Sequence, residues 1–147
     1  PNTAPSNTLT SPSAQTIALG TALTITSHAT DAEGNITTHN LDIQRPDGTW
    51  NWQGGFASGE PFMGGPVGSG GSSTRSAVFT FNQTGVWNLR SWVNDSNGAN
   101  TYSSTVQITV TKASQTISFP NPGTVHRDAN SIALSAVTSS GLPVSFS

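Results

Sequence analysis

Residues 84–98 decide the fold, and they read Thr-Gly-Val-Trp-Asn-Leu-Arg-Ser-Trp-Val-Asn-Asp-Ser-Asn-Gly. Successive side chains of a strand point to opposite faces, so this stretch divides into two sets. One set is Trp87, Leu89, Ser91 and Val93, and the other is Val86, Asn88, Arg90 and Trp92. The alternation predicts a half-buried strand between two turns. Because Trp87 is predicted to point inward, Trp92 should point outward and needs a partner to cover it.

Short strands separated by turns are predicted on both sides of this stretch. They cover 15–19, 21–29, 37–45, 50–52, 75–81 and 102–111. Asp and Gly at 47–48 favour a hairpin turn, and residues 31–35 and 94–100 read as turns. No window repeats apolar residues at helical spacing. Seven to eight short strands predict an all-β fold, an antiparallel β-sandwich.

Composition excludes several classes of function. Charged residues make up 8% of the chain and the net charge is −2, so binding to nucleic acid or to an anionic membrane is not expected. The chain has no cysteine, which excludes disulfides, thiolate zinc sites and cysteine nucleophiles. No apolar run is long enough to predict a membrane span.

Three segments are expected along the chain. Residues 1–14 are rich in Pro, Ser, Thr and Asn and read as a linker. Residues 15–112 form the sandwich, in which the glycine-rich segment 54–74 is predicted to be a long surface loop of unassigned role. The triplet Gln-Thr-Ile at 15–17 recurs at 115–117, so 113–147 is predicted to be the N-terminal part of a second repeat. The chain begins and ends abruptly, and we expect it to be part of a longer protein.

Three sets of motifs resemble those of bacterial immunoglobulin-like repeats, including the polycystic-kidney-disease-like domains. Residues 29–36 followed by the Asp-Gly pair resemble the Ala-x-Asp-x-Asp-Gly-x-Ile region of surface-protein modules. Residues 82–98 resemble the Gly-x-Tyr-x-Val…Asp-x-x-Gly region, with Trp87 in the Tyr place. Residues 115–119 and 134–144 resemble the start of another repeat. The resemblance implies an Ig-like β-sandwich followed by a partial second β module, in secreted or cell-surface proteins where such modules are structural or adhesive.

Five aromatic residues are candidates for contact with a ligand or partner. They are Trp50, Trp52, Phe56, Phe62 and Trp92. Flat aromatic faces stack on sugar rings and fill interface pockets. Trp50 and Trp52 are two residues apart, so in a strand they share one face. The alternative is that these rings pack in the core or hold the glycine-rich loop.

Four residues in two turns are candidates for calcium binding, namely Asp31, Glu33, Asp95 and Asn97. Turns at one end of a sandwich can bring hard oxygen ligands together. The alternative is ordinary turn chemistry, in which Asp and Asn accept hydrogen bonds from their own backbone. No other cofactor is predicted.

No catalytic constellation is visible, so an enzyme is not predicted. His28, His39 and His126 lack the spacing of metal ligands and read as surface or turn residues. No Gly-x-Ser-x-Gly motif occurs, and the glycine run lacks the Lys-Ser/Thr of a phosphate loop.

The leading hypothesis is therefore a non-catalytic structural or adhesive module of a bacterial extracellular or cell-surface protein. Its partners would be neighbouring repeats or identical subunits, and strand addition between subunits would build an extracellular filament. The alternative is a carbohydrate-binding module attached to a secreted hydrolase, with polysaccharide as its partner.

Overall fold

The structure, a computed structural model, describes residues 1–53, 64–121, 123–124, 128, 134–141 and 143–145. The described chain falls into two compact units, Pro1–Lys112 and Ala113–Ser147. The strands of the first unit are β1 (Ser6–Ser11), β2 (Gln15–Ala18), β3 (Ala22–Thr30), β4 (Ile36–Gln44), β5 (Gly64–Gly70), β6 (Ser72–Thr80), β7 (Gly85–Asp95), β8 (Asn100–Tyr102) and β9 (Val106–Thr111). A short 3-10 turn occupies Asn51–Gln53.

Two sheets share these strands. The first has the order β1-β3-β6, and the second has the order β2-β9-β7-β4-β5. All pairs are antiparallel except β2 with β9. Along one edge of β7, β9 pairs with its first half and β8 with its second half. The predicted all-β, Ig-like sandwich is confirmed.

β7 supplies the centre of the core, as its alternation predicts. Trp87, Leu89 and Val93 have no exposed surface. The Trp87 ring meets Phe79 and Phe81 of the facing sheet edge-on, with both centroid distances 5.4 Å. Edge-to-face rings add attraction beyond the area they bury. The indole N–H of Trp87 donates to the carbonyl of Gln83 at 2.9 Å, so the one polar atom of this side chain is satisfied.

The prediction of a linker over 1–14 is wrong for residues 6–11. These residues form β1, which pairs with β3 from Ser6 opposite Thr30 to Ser11 opposite Thr26. Pro5 and Pro12 are both buried. The strand carries one apolar residue, Leu9, because Ser, Thr and Asn fill its other positions. The residues on its inward face are mostly polar, so the sequence shows no alternation of apolar and polar residues that would predict a strand here.

Two further predictions differ from the structure in the segment after β4. The expected return strand at 50–52 is a single β-bridge between Gln44 and Trp50, followed by the 3-10 turn. The expected loop 54–74 contains β5, which pairs with β4, and the start of β6. The β5 sequence has four glycines among seven residues and gives no side-chain pattern to detect. Residues 54–63, with Phe56 and Phe62, lie outside the described residues.

The second unit contains one described strand pair, β10 (Ile117–Ser118) with β11 (Val137–Thr138). Its described apolar side chains are largely exposed, at 65% for Ile117 and 68% for Val137. Whether 113–147 begins a second repeat stays a prediction. The described residues include no helix with the length and hydrophobicity of a membrane span.

Candidate functional site

The outer face of the second sheet carries three rows of side chains, set by strand register. Residues directly opposite each other in an antiparallel pair share a face and lie close together. The first row is Asn40–Trp92–Tyr102, the second is Asp42–Arg90, and the third is Gln44–Asn88–Gln107. The third row is an amide ladder in which Asn88 donates to Gln44 at 2.7 Å and accepts from Gln107 at 3.2 Å. This face therefore combines aromatic rings with fixed polar groups.

The 3-10 turn is attached to the same sheet by the side chain of Asn51. Its amide donates to the carbonyl of Leu41 at 3.0 Å and accepts from the N–H of Ile43 at 3.2 Å. Asn51 thus bonds to the edge of β4 next to the described pairing with β5, in which Asn40 lies opposite Gly64. This anchor holds Trp50 and Trp52 beside the outer face.

A groove lies between the 3-10 turn and β8, with a volume of about 280 Å³. The residues that line it are Asn40, Leu41, Asp42, Asn51, Trp52, Trp92 and Tyr102. Trp52 is 57% exposed and Tyr102 is 50% exposed, while Trp92 is half-buried. Exposed rings of this size beside amide and carboxylate groups are typical of ligand sites, since apolar walls bind and a few polar groups orient. This groove is the candidate functional site.

Arg90 contacts the side chains of two groove residues, Tyr102 and Asp42, and that of Trp50. Its guanidinium lies 4.1 Å from the ring centroid of Trp50 and 4.1 Å from that of Tyr102. The Nε–H of Arg90 donates to Asp42 Oδ2 at 3.1 Å. Two cation–π contacts and one ion pair therefore link Arg90 to the rings of Trp50 and Tyr102 and to the carboxylate of Asp42, and they restrain these three groups.

The charge on Asp42 is set by two opposing effects. Burial raises the pKa of this carboxyl, because the charged form loses hydration. The hydrogen bond and the positive charge of Arg90 lower the pKa and offset part of the effect of burial. A buried carboxylate of this kind depends on its partner to stay ionised.

Only some of the five predicted aromatic residues line the groove. Trp52 and Trp92 line the groove, whereas Trp50 stacks on Arg90 behind it. Trp50 and Trp52 do not share a strand face, because a 3-10 turn separates their directions. Phe56 and Phe62 lie outside the described residues. Whether any of these rings contacts a ligand stays a prediction.

Five residues of the groove and its support were not among the predicted contact residues, namely Asn40, Asp42, Asn51, Arg90 and Tyr102. Asn40 and Asp42 alternate with the inward residues of β4, so the sequence pattern could have placed both on the outer face of the sheet. The sequence pattern predicts one continuous strand over 102–111, which would include Tyr102. It lies instead on a separate three-residue strand opposite Trp92, and residues 103–105 interrupt the alternation.

The two turns proposed for calcium lie at the same end of the sandwich, where Ser96 N–H donates to the carbonyl of Asn35 at 3.0 Å. Asp31 Oδ1 accepts from the N–H groups of Glu33 and Gly34. Asp95 Oδ1 accepts from those of Asn97 and Ala99. These contacts are the self-capping chemistry of turns.

Asn2 links the Asp95 turn to the N-terminal segment. It donates to Asp95 Oδ2 at 2.6 Å and accepts from Asn97 at 2.8 Å. The hydrogen bond from Asn2 is the main cause that lowers the pKa of Asp95, and backbone N–H groups act in the same direction. Within the described ranges, no three His, Cys, Asp or Glu side chains group as metal ligands. Calcium binding stays a prediction, and thermal unfolding with calcium against EDTA tests it.

His39 is a buried residue, contrary to the prediction that the histidines lie at the surface. Its Nε2 lies 2.5 Å from Ser27 Oγ and its Nδ1 lies 2.9 Å from Ser73 Oγ. Ser27 and His39 are both fully buried. A Ser–His pair without access for substrate is a structural contact, not a nucleophile with its base. His39 lies two residues before the inward-facing Leu41 in the same strand, and this spacing could have predicted that His39 is buried.

Of three comparisons with known proteins, only the search of solved structures gives a match. A scan against protein-family models gives no match, and a search of curated proteins gives none. Solved structures that resemble the chain include the fibronectin(III)-like modules of CbhA from Clostridium thermocellum, with a TM-score of 0.49 and 20% identity. That match covers 74% of this chain and 47% of the other, so the chain spans about half the length of that structure.

Proposed function

We propose that this chain is a non-catalytic, adhesive Ig-like module that binds a carbohydrate in the groove between the 3-10 turn and β8. The observation that carries the proposal is the convergence of Trp52, Trp92 and Tyr102 with amide and carboxylate side chains on one outer sheet face. In keeping with its resemblance to surface repeats, the module belongs outside the cell. Recovery of the native protein from the cytoplasmic fraction would contradict that location.

The chemistry of the groove fits a sugar in two ways. Aromatic faces carry partial negative charge and pack well against the C–H groups on the flat side of a pyranose. Sugars also present hydroxyl groups, to which the amides of Asn40 and Asn51 can donate and from which the carboxylate of Asp42 can accept. One of the three groove rings, Tyr102, is restrained before binding by its cation–π contact with Arg90. Restraint in the free state lowers the entropy cost of binding.

Affinity electrophoresis tests the proposal. The chain is run in native gels that contain one of several neutral polysaccharides, including β-glucan, xylan, mannan, galactan and dextran. We expect retardation in at least one gel. Trp92→Ala and Tyr102→Ala should each weaken it about 10- to 100-fold, because each removes a central ring.

The matched control is Val78→Ala, since Val78 is 61% exposed on the other sheet and lies outside the groove. It should leave retardation unchanged. All variants should keep the thermal midpoint of the parent chain within a few degrees. Equal mobility in every gel, or full retardation of Trp92→Ala, would contradict carbohydrate binding in this groove.

A further inference from the structure

The described groove has one charged lining residue. Among its described lining residues Asp42 alone is ionisable near neutral pH, and the others are amides, aromatic rings and Leu41. The side chain of Asp42 is 9% exposed, so its carboxylate is poorly hydrated. A charge in such a site acts on a ligand more strongly than a charge on the open surface.

The positive partner of Asp42 does not face the groove. Arg90 is absent from the groove lining. Its guanidinium carbon lies 4.1 Å from the ring centroids of both Trp50 and Tyr102, and the part of its side chain that is exposed, 24%, lies outside the groove lining. Its Nε–H is directed at Asp42 Oδ2. To reach an anionic ligand, Arg90 would lose two ring contacts and an ion pair. The ion pair therefore presents its negative end to the ligand.

We infer that Asp42 determines the specificity of the groove: it excludes glycans that carry carboxylate or sulfate groups and restricts binding to uncharged pyranose units. The inference rests on the proposed function and adds the class of ligand. An uncharged sugar donates hydroxyl hydrogens to the carboxylate, and a hydrogen bond to an ionised acceptor is among the stronger ones. An acidic sugar places like charges a few ångström apart in a poorly hydrated site, which is unfavourable.

Gels with paired polysaccharides test the inference. Each pair shares a main chain and differs in charge: hydroxyethylcellulose with carboxymethylcellulose, and dextran with dextran sulfate. We expect the chain to be retarded by a neutral member and not by its acidic counterpart. Asp42→Asn should gain retardation by the acidic counterpart, about threefold to tenfold over the parent chain.

Glu33→Gln is the matched control, because it makes the same change in net charge at an exposed residue of the β3–β4 turn. It corrects for the general repulsion between an acidic polymer and a chain of net charge −2. A gain in Glu33→Gln equal to that in Asp42→Asn would overturn the role of Asp42. So would a folded Asp42→Asn variant with no gain.

Ionic strength gives a readout that needs no variant. Salt screens charge repulsion over about 10 Å at 0.1 M, so added salt should raise retention of the parent chain in the acidic gel and leave the neutral gel unchanged. Equal or stronger retention by the acidic member at low salt would overturn the inference while leaving carbohydrate binding intact. Failure of every polysaccharide to retard the chain would instead remove the proposed function, and the inference with it.

Discussion

Arg90 and His39 show how single polar residues organise this sandwich from opposite sides of the second sheet. Arg90 lies on the outer face, where Trp50, Tyr102 and Asp42 surround its guanidinium. His39 lies between the sheets, where Ser27 and Ser73 satisfy its two ring nitrogens. Burying a charge costs much more free energy than burying a neutral polar group that is hydrogen-bonded. The charged Arg90 therefore lies on the outer face of the sheet, and the imidazole that lies in the core is neutral.

The first prediction concerns acid stability. Burial is the main cause that lowers the pKa of His39 from 6.5 to about 4, and the charges of Arg75 and His28 add to it. The unfolded chain therefore takes up a proton at higher pH than the folded chain. Stability is complete above about pH 7 and falls as pH drops through 6.5 towards 4, by about 2–3 kcal/mol between pH 7 and pH 4.5. Urea unfolding at these pH values measures the change.

An NMR titration of the His39 ring checks the cause directly. The ring should stay neutral until about pH 4. His39→Gln should be less stable at neutral pH but should lose little further stability on acidification. Protonation of His39 near 6.5 would contradict this prediction.

The second prediction concerns Gly85, at the start of β7. Gly85 has φ of +125°, and a Cβ there would lie 2.7 Å from Pro46 Cβ. Gly85→Ala should therefore cost about 2–3 kcal/mol, from backbone strain and steric clash together. Gly98→Ala is the control, because Gly98 has φ of +87° but open space around it, and strain alone should cost about 1 kcal/mol. Equal losses in the two variants would show that the contact with Pro46 has no effect.

At the scale of elements, the strands that bury apolar residues were predictable and those built from polar residues were not. β7 shows a clean alternation, and its inward set of Trp87, Leu89, Ser91 and Val93 is buried as predicted. β1 and β5 gave no such signal, since Ser, Thr, Asn and Gly form strands here through backbone pairing. The groove depends on register between distant strands, which a pattern local in sequence does not contain.

The third prediction tests β1 as part of the sandwich. Asn7 joins the two sheets: its Oδ1 accepts from the buried Ser91 at 2.7 Å, and its amide donates to the carbonyl of Thr101 at 3.2 Å. Asn7→Ala should cost about 1–3 kcal/mol, because it leaves a buried hydroxyl without its acceptor. Thr8→Ala, on the exposed face of the same strand, should change stability by less than about 0.5 kcal/mol. Chemical denaturation measures both, and equal stability of the two variants would support a linker instead.

At the scale of the whole molecule, the chain consists of one complete sandwich and a smaller unit whose described apolar side chains are largely exposed. The boundary between the units lies at Lys112 and Ala113. All groove residues belong to the first unit. The tandem-repeat and strand-addition hypotheses for 113–147 stay predictions, and light scattering of the chain tests whether it assembles.

The fourth prediction follows from this division. Residues 1–112 expressed alone should fold, unfold at the same temperature as the full chain within about 2 °C, and keep the same retardation in polysaccharide gels. The physical reason is that the core cluster is formed by residues of the first unit. A much lower midpoint for residues 1–112 would show that the second unit stabilises the first.

The central claim, a carbohydrate site at the groove, is tested most directly by NMR of the four tryptophan indole N–H groups. The titrant is an oligosaccharide cut from the neutral polysaccharide that retards the chain most strongly. We expect the Trp52 and Trp92 signals to shift with saturation, while Trp87 stays fixed, because its N–H is bonded to Gln83 in the core. Binding with unmoved Trp52 and Trp92 signals, or no response to any oligosaccharide, would contradict the claim.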